Sequence, residues 1–418
     1  MSQATRPTVG ILVGGGPAPG INSVISAATI RSILGGCDVV GILDGFKWLM
    51  EGGTGRVRPL SIEEVSRIHF RGGSYLGTSR ANPTKNSEHL DRVLSALTSI
   101  GVSRLITIGG DDTAFSSLRL EERAGNRLQV VHVPKTIDND LDLPAGIPTF
   151  GFQTARHVGV EIVKNLMVDA HTTTRWYLTV TMGRKAGHLA LGIGKAVGAT
   201  SIIIPEEFKE RPVRLARLVD LLLGTIIKRL SAGRMDGVIV LAEGLIEIVD
   251  PHDLGGLDRI ERDEHGHLRL SEVDIGEVLR RELATAMKPL GLSATIVSKN
   301  VGYELRCADP IPYDIEYTRD LGYSAAQYLL EGGTAAMVSI QDGRSTPIPF
   351  ARMLDPATGR AKVRMVDTDS QSYQIARQYM IRLNESDVKD SATVGRYAAL
   401  TGLSLDEFRQ RFSPVVGR

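Results

Sequence analysis

The chain has 418 residues, 42% of them apolar, which is enough to fill the cores of two domains. Lys plus Arg number 49 against 48 for Asp plus Glu, so no broad positive face serves nucleic acid or an anionic membrane, and any bound anion must be held locally. No apolar run reaches the roughly 20 residues that span a bilayer, the N-terminus lacks a basic segment followed by an apolar one, and Cys37 and Cys307 are too few for a disulfide framework. The expectation is a cytoplasmic protein whose two cysteines are packing residues.

In chain order, strands are expected at 8–13 (TVGILV), 38–43, 104–109, 128–133, 176–182, 201–204, 236–243, 293–298 and 335–340. Helical patterns lie between them. Leu90, Val93, Leu94 and Leu97 form one apolar stripe, and Ile162, Val163, Leu166 and Met167 another, each at the spacing of a helix face packed on a sheet. Strands that are apolar throughout and separated by helices predict an α/β fold with parallel sheets covered on both faces. In such sheets ligands sit beyond the carboxyl ends of the strands. The charged stretch LDRIERDEHGHLRL (257–270) reads as a solvated insertion, with His265 and His267 as exposed loop residues rather than metal ligands.

The unusual loops fall at strand ends. GGGPAPGINS (14–23) follows the first strand and opens a helix with Ile21, Ile25 and Ala28 on one side. Its glycines let backbone amides approach an anion, and the helix N-terminus adds partial positive charge. It is neither a dinucleotide fingerprint, which would need glycine where Pro19 stands, nor a Walker A loop, which would need Lys and Ser or Thr where Ile21 and Asn22 stand. GGDDT (109–113) places Asp111 where a helix starts, a position suited to magnesium, and a second carboxylate beside it would repel phosphate unless it had a separate task. PKTIDND (134–140) brings Lys135 into one short turn with Asp138 and Asp140, while GRKAGH (183–188) and Glu243 end two further strands.

Taken together and in this order, GGGPAPGIN, GGDDT, PKTIDND, MGRKAGHLA and GYELR…PIPYD resemble the 6-phosphofructokinase family, over about residues 8 to 320. ATP-using members of that family typically have glycine where this chain has Asp112 and Lys135, whereas diphosphate-using members carry aspartate and lysine, as here. The resemblance implies two similar three-layer α/β domains with mainly parallel sheets and an active site in the cleft between them. Residues 1–149 plus about 305–355 would form the phosphoryl-donor domain, and 150–304 plus about 356–418 the fructose 6-phosphate domain. It further implies magnesium-dependent, reversible transfer of a phosphoryl group from diphosphate to the 1-hydroxyl of fructose 6-phosphate. The substitution has a physical reading. Like charges 4 Å apart repel by about 4 kcal/mol at an effective dielectric of 20, so Asp112 would bar the onward path of a nucleotide while Lys135 neutralises the compact diphosphate.

By the same resemblance Asp138 is the general base, Thr136 lies beside the transferring group, Ile137 binds the substrate with both, Asp140 supports the turn and assists the metal, and Asp111 holds magnesium. Gly15, Gly16 and Arg80 contact the donor with Asp112 and Lys135. Met182, Gly183, Arg184 and Glu243 resemble the sugar-binding groups, Tyr303 and Arg306 the 6-phosphate end, and Lys299 stands where ATP-type bacterial members have an arginine. Arg175 matches an arginine that in related enzymes comes from a neighbouring subunit, which implies a homodimer or homotetramer. Two other readings make different demands on the sequence. An ATP-dependent enzyme would carry glycine at 112 and 135, and a non-catalytic sugar-phosphate sensor would have lost Asp111 or Asp138.

Overall fold

Val9, Ile11, Leu12 and Val13 are all buried, so the first strand has no polar face and must be covered on both sides. In the computed structural model, which describes residues 6–254, 273–355 and 362–416, that strand is an interior strand of a doubly wound sheet. The stretch 257–270, with His265 and His267, lies outside the described residues. Two compact units divide the chain, residues 1–155 with 303–364 and residues 156–302 with 365–418.

The first unit's sheet contains β1 (Thr8–Val13), β2 (Asp38–Ile42), β3 (Val57–Pro59), β4 (Val102–Gly109) and β5 (Gln129–Pro134). The second unit has β6 (Arg175–Thr181), β7 (Ser201–Ile203), β8 (Gly237–Ala242) and β9 (Thr295–Val301). The chain then returns to the first unit with β10 (Ala336–Met337), the hairpin β11 (Ile340–Gln341) and β12 (Arg344–Ser345), and β13 (Ile348–Pro349). The order across the first sheet is β13-β10-β5-β4-β1-β2-β3, parallel except for the outermost strand at each edge. Successive strands step outward from β1 to β2, then from β4 to β5 on the other side. The crevice of this unit therefore opens at the carboxyl ends of β1 and β4, where the strand order reverses.

Helices Ile21–Leu34 and Pro312–Leu330 pack closely, because Gly322 has no side chain: a Cβ there would stand 2.5 Å from the Val24 carbonyl oxygen. On the other face Leu12, Leu94, Leu105, Val130 and Phe350 share one core. The stripe Val93, Leu94, Leu97 is buried and Leu90 packs against it, as expected of helix Ser87–Ser99.

The second unit's sheet is all parallel, in the order β7-β8-β6-β9. Trp176, Leu178, Ile239 and Leu241 meet Leu218, Leu222 and Ile226 of helix Leu215–Ser231. The region beyond 365 carries no sequence motif, yet Leu383, Tyr397, Phe408 and Phe412 complete this same core. Fully burying side chains of this kind stabilises by about 1.5–3 kcal/mol each, which makes the C-terminal segment part of the fold and not an appendage.

Three expectations are corrected. The run 335–340 is not one strand: only Ala336 and Met337 pair with β5, and the chain then turns into the hairpin that begins at Ile340. In the long helix Phe152–Thr173, Val163 is buried but Ile162, Leu166 and Met167 are only half-covered. Cys37 is buried, whereas Cys307 is exposed; at that point it is the Cys307 carbonyl that packs closely, against Gly72. Among the described residues, no helix is long and apolar enough to cross a membrane.

Candidate active site

In the first unit the loops after β1, β4 and β5 meet at the crevice. Gly14 N donates to Ile108 O at 2.8 Å and Gly15 N to Ser79 O at 2.8 Å, so the glycine loop is stitched to the end of β4 and to the segment that leads to Arg80. Gly15 has a φ of +80°, which L side chains rarely adopt. Gly14 and Gly109 both face Thr113, which takes the space that side chains there would need. Asn22 holds the segment running up to Arg80: its Nδ2 donates to Arg71 O at 3.0 Å and its Oδ1 accepts from Tyr75 N at 2.7 Å. Arg80 itself is exposed.

After β4, Gly110 caps helix Asp111–Ala124 and both aspartates occupy its first turn, where the helix dipole favours negative charge. Asp111 is half-buried, with Oδ1 accepting from Asp112 N at 2.9 Å, and Asp112 is exposed. Among the described residues no three His, Cys, Asp or Glu side chains form a ready-made metal cage. A single carboxylate at the mouth of a phosphate loop is nevertheless compatible with magnesium, which keeps several waters and is commonly held through one or two carboxylates plus substrate phosphates.

Lys135 is the electrostatic centre of this cluster. Only 4% exposed, it donates from Nζ to Gly16 O, and its own backbone N donates to Gly109 O at 2.8 Å. Burial lowers its pKa to about 8, against the pull of Asp138, Asp140 and Asp111 and with the push of Arg306. The carboxylates that bear on this ammonium thus include the loop pair and Asp111. Beneath it, His132 is fully buried and held neutral, its pKa lowered to about 3 chiefly by burial. Because a carbonyl only accepts, Nε2–H donates to Gly109 O at 3.0 Å, leaving Nδ1 to accept from Thr107 Oγ1 at 2.8 Å.

The loop 136–140 is braced from inside. Thr136 Oγ1 accepts from Asp138 N at 3.0 Å, and Thr149 Oγ1 donates to Thr136 O at 2.7 Å. Asn139 sits at φ +58°, an unfavourable conformation that keeps Asp138 and Asp140 on the turn. Arg364 secures it: Nε donates to Asn139 O at 3.1 Å, Nη1 to Ile147 O at 2.7 Å, and Nη2 to Asn139 Oδ1. Its backbone N adds a bond to Asp140 O at 2.8 Å. Asp314, in the PIPYD motif, is buried and accepts from Gly151 N, Thr154 N and Thr154 Oγ1, capping the helix that starts at Phe152. It is a structural carboxylate.

The second unit gathers a different set at its strand ends. Met182, Gly183 and Arg184 follow β6, and Glu243 follows β8, its neighbour in the sheet. Gly244 N donates to Gly183 O at 3.2 Å and Glu243 Oε1 lies 3.6 Å from Arg184 Nε. Lys299 is half-buried on edge strand β9, opposite Thr179. Arg175 is not brought to this group. It begins β6, and seven residues of strand at about 3.3 Å each put it roughly 20 Å from Met182.

Tyr303 and Arg306 belong by packing to the first unit, with the Arg306 guanidinium 4.5 Å over the Tyr303 ring. Arg306 Nη1 stands 3.5 Å from the place a Cβ on Gly16 would occupy. The arginine expected at the sugar phosphate therefore shares the surroundings of the donor loop. Reading the sequence missed His132, Arg364 and Thr113. A histidine inside an otherwise apolar strand was a usable signal for the first, whereas Arg364 lies in a stretch without a motif.

A crevice with a glycine loop, a helix N-terminus, a buried ammonium and three carboxylates suits polyphosphate held with a metal, with a spare carboxylate for proton transfer. The family description Phosphofructokinase matches residues 8–329. The chain is 52% identical to the pyrophosphate--fructose 6-phosphate 1-phosphotransferase of Thermotoga maritima, over 97% of each chain. It is 48% identical to the protein of that name from Naegleria fowleri, over 98% of this chain and 96% of that one. The crystal structure of a pyrophosphate-dependent phosphofructokinase from Nitrosospira multiformis superposes with a TM-score of 0.68 over 89% of this chain and 90% of that one; at 15% identity the likeness concerns the fold.

Proposed function

Since the chain belongs to the phosphofructokinase family, we propose that it is an enzyme transferring a phosphoryl group from diphosphate to the 1-hydroxyl of fructose 6-phosphate, reversibly, with fructose 1,6-bisphosphate and phosphate as products. The observation that carries the choice of donor is the buried Lys135 ammonium on the Gly16 carbonyl, with Asp112 on the first turn of the adjoining helix. A lysine there neutralises a small, highly charged anion, and the aspartate opposes the α phosphate and nucleoside of a nucleotide whose β and γ phosphates lie at the reaction centre. The names of the relatives at 52% and 48% identity support the same donor and acceptor.

In this reading the first unit is the donor domain. Gly15, Gly16, Arg80 and Lys135 bind diphosphate, and Asp111 holds a divalent metal, magnesium by its oxygen-ligand chemistry, which when bound neutralises charge on the donor phosphates. Asp138 takes the proton of the 1-hydroxyl as its oxygen attacks the nearer phosphorus, and the bond to the bridging oxygen breaks to release phosphate. Thr136 flanks the transferring group, Ile137 binds the substrate with it and Asp140 supports the turn. The second unit supplies the acceptor groups, with Met182, Gly183, Arg184, Glu243 and Lys299 on the sugar, while Tyr303 and Arg306 hold the 6-phosphate. Arg175, at the other end of β6, serves a neighbouring subunit in a homodimer or homotetramer. The protein acts in the cytoplasm, without nucleic acid or membrane partners.

Steady-state rates with each donor test the assignment. Purified protein with magnesium and fructose 6-phosphate should turn over with diphosphate and not with ATP. Asp112→Gly combined with Lys135→Gly should admit ATP weakly and cripple diphosphate use; an unchanged donor preference would remove the two residues from donor selection.

A further inference from the structure

Away from these strand ends, the second unit holds a cavity of about 480 Å³. Three segments far apart in sequence wall it: the turn and helix after β7, the helix Gln371–Tyr379 with the residues that follow, and Ser413–Val416. Its charged lining consists of Lys209, Arg217, Arg377 and Arg382 against Glu207, Glu210 and Asp369, four cations to three carboxylates. These charges are not equally effective. Glu210 and Asp369 are exposed, as are Lys209 and Arg217, so solvent screens all four and the less exposed Arg377, Arg382 and Glu207 decide the balance. Glu207 bonds first to Arg382, which is 4% exposed and donates Nη2 to Glu207 Oε1 at 3.0 Å and Nε to Ser201 Oγ at 2.9 Å, while the same carboxylate also acts on Arg377 and on the Tyr373 hydroxyl.

Arg377 therefore has a carboxylate nearby but keeps an N–H unmet. Its Nε is buried and has no hydrogen-bond partner. Tyr373, 4% exposed and lining the same cavity, has a hydroxyl equally buried, beside Glu207 but without a well-formed hydrogen bond to it. An unmet buried donor costs about the full desolvation of the group, so two at one cavity wall, one of them cationic, describe half of a binding site. The missing half is an anion with several acceptor oxygens. Phe208, Leu221 and Val415 offer apolar wall for a short carbon skeleton.

We propose that this cavity binds a small phosphomonoester whose phosphate accepts from Arg377 Nε and Tyr373 Oη. A phosphate is favoured over a carboxylate because it can accept from both donors and still offer an oxygen to Lys209. Since the walls come from three separate segments, an occupant ties the C-terminal segment to helix Leu215–Ser231, and binding stabilises the folded unit.

Calorimetry on the full chain, with glycerol 3-phosphate as probe and glycerate as a carboxylate of the same carbon skeleton length, tests this. The native protein should bind glycerol 3-phosphate and melt at higher temperature with it. Arg377→Ala should weaken binding by about tenfold or more, as loss of a charge-assisted hydrogen bond requires. Tyr373→Phe should weaken it less, while Lys135→Ala and Arg306→Ala, which alter the site described above, should leave it unchanged. Turnover of Arg377→Ala without the probe should stay within about twofold of native. No binding by the native protein, equal affinity in Arg377→Ala, or equal binding of glycerate would overturn the proposal. If the variants do not fold, a crystal of the native protein soaked with glycerol 3-phosphate decides, and a cavity without phosphate density beside Arg377 refutes it.

Discussion

The strand-end groups of the two units are built to different tolerances. In the first, the loops are locked from beneath: Lys135 and His132 are buried, Gly109 O receives bonds from both the Lys135 backbone and the His132 ring, and the Arg364 side chain ties Asn139 O and Oδ1 of the acidic turn to the Leu143 and Ile147 carbonyls that follow it. In the second, Arg184 is exposed, Glu243 is half-buried, and their charged atoms are 3.6 Å apart. The difference follows the chemistry proposed for each. Charge that develops during phosphoryl transfer is stabilised best by groups that need not reorganise, whereas sugar hydroxyls can be bound by side chains that settle on arrival.

The largest test of that contrast is Asp138→Ala. If the locked turn carries the base, turnover should fall by about 10²–10⁴ while fructose 6-phosphate binding stays measurable by calorimetry. Retained turnover would separate the rigid loop from the chemistry.

Next comes the lysine. Because its pKa in the fold is about 8 and not the usual 10.5, Lys135 loses its charge as pH rises through 8. The rate constant kcat/KM for diphosphate should then decline on that alkaline limb, and the limb should disappear in Lys135→Arg, whose guanidinium stays charged. The stability effect has the opposite sign: the ligand-free protein should gain stability between pH 8 and 10.5, where the unfolded chain still binds the proton that the fold has released. Melting temperatures of the native protein and Lys135→Gln across that range check it.

Arg364→Ala asks whether bracing matters apart from charge. Removing it leaves part-buried carbonyls unpaired and the Asn139 carbonyl without its side-chain anchor, so a loss of about 1 kcal/mol is expected together with a fall in kcat at nearly constant KM for both substrates. A change confined to stability would make the clamp purely structural. Smallest should be Glu243→Gln combined with Arg184→Ala in the second unit. Stability should stay within about 1 kcal/mol, as for an exposed ion pair, while KM for fructose 6-phosphate rises.

Much of the architecture was legible beforehand. Continuous apolar runs such as TVGILV read as strands covered on both faces, and the glycines at 14–16 and 109–110 marked where the chain leaves the sheet. The failures have a common origin. The run 335–340 has strand composition, but only two of its residues find a partner. Cys307 has a side chain suited to burial, yet it is exposed and only its carbonyl packs closely, against Gly72.

Periodicity, turn chemistry and the succession of strand-end loops are local properties, and the amino-acid order by itself determined the α/β alternation, the exits from the sheet and the grouping of Asp138 with Asp140. Tertiary structure decided what each charge experiences. It buried Lys135 and lowered its pKa, brought Arg364 to Asn139 from a segment 225 residues later, set Arg175 at the far end of β6, and turned a C-terminal stretch without motifs into core and cavity wall. Desolvation and long-range hydrogen bonds depend on which segments cross in space, and spacing along the chain does not encode that.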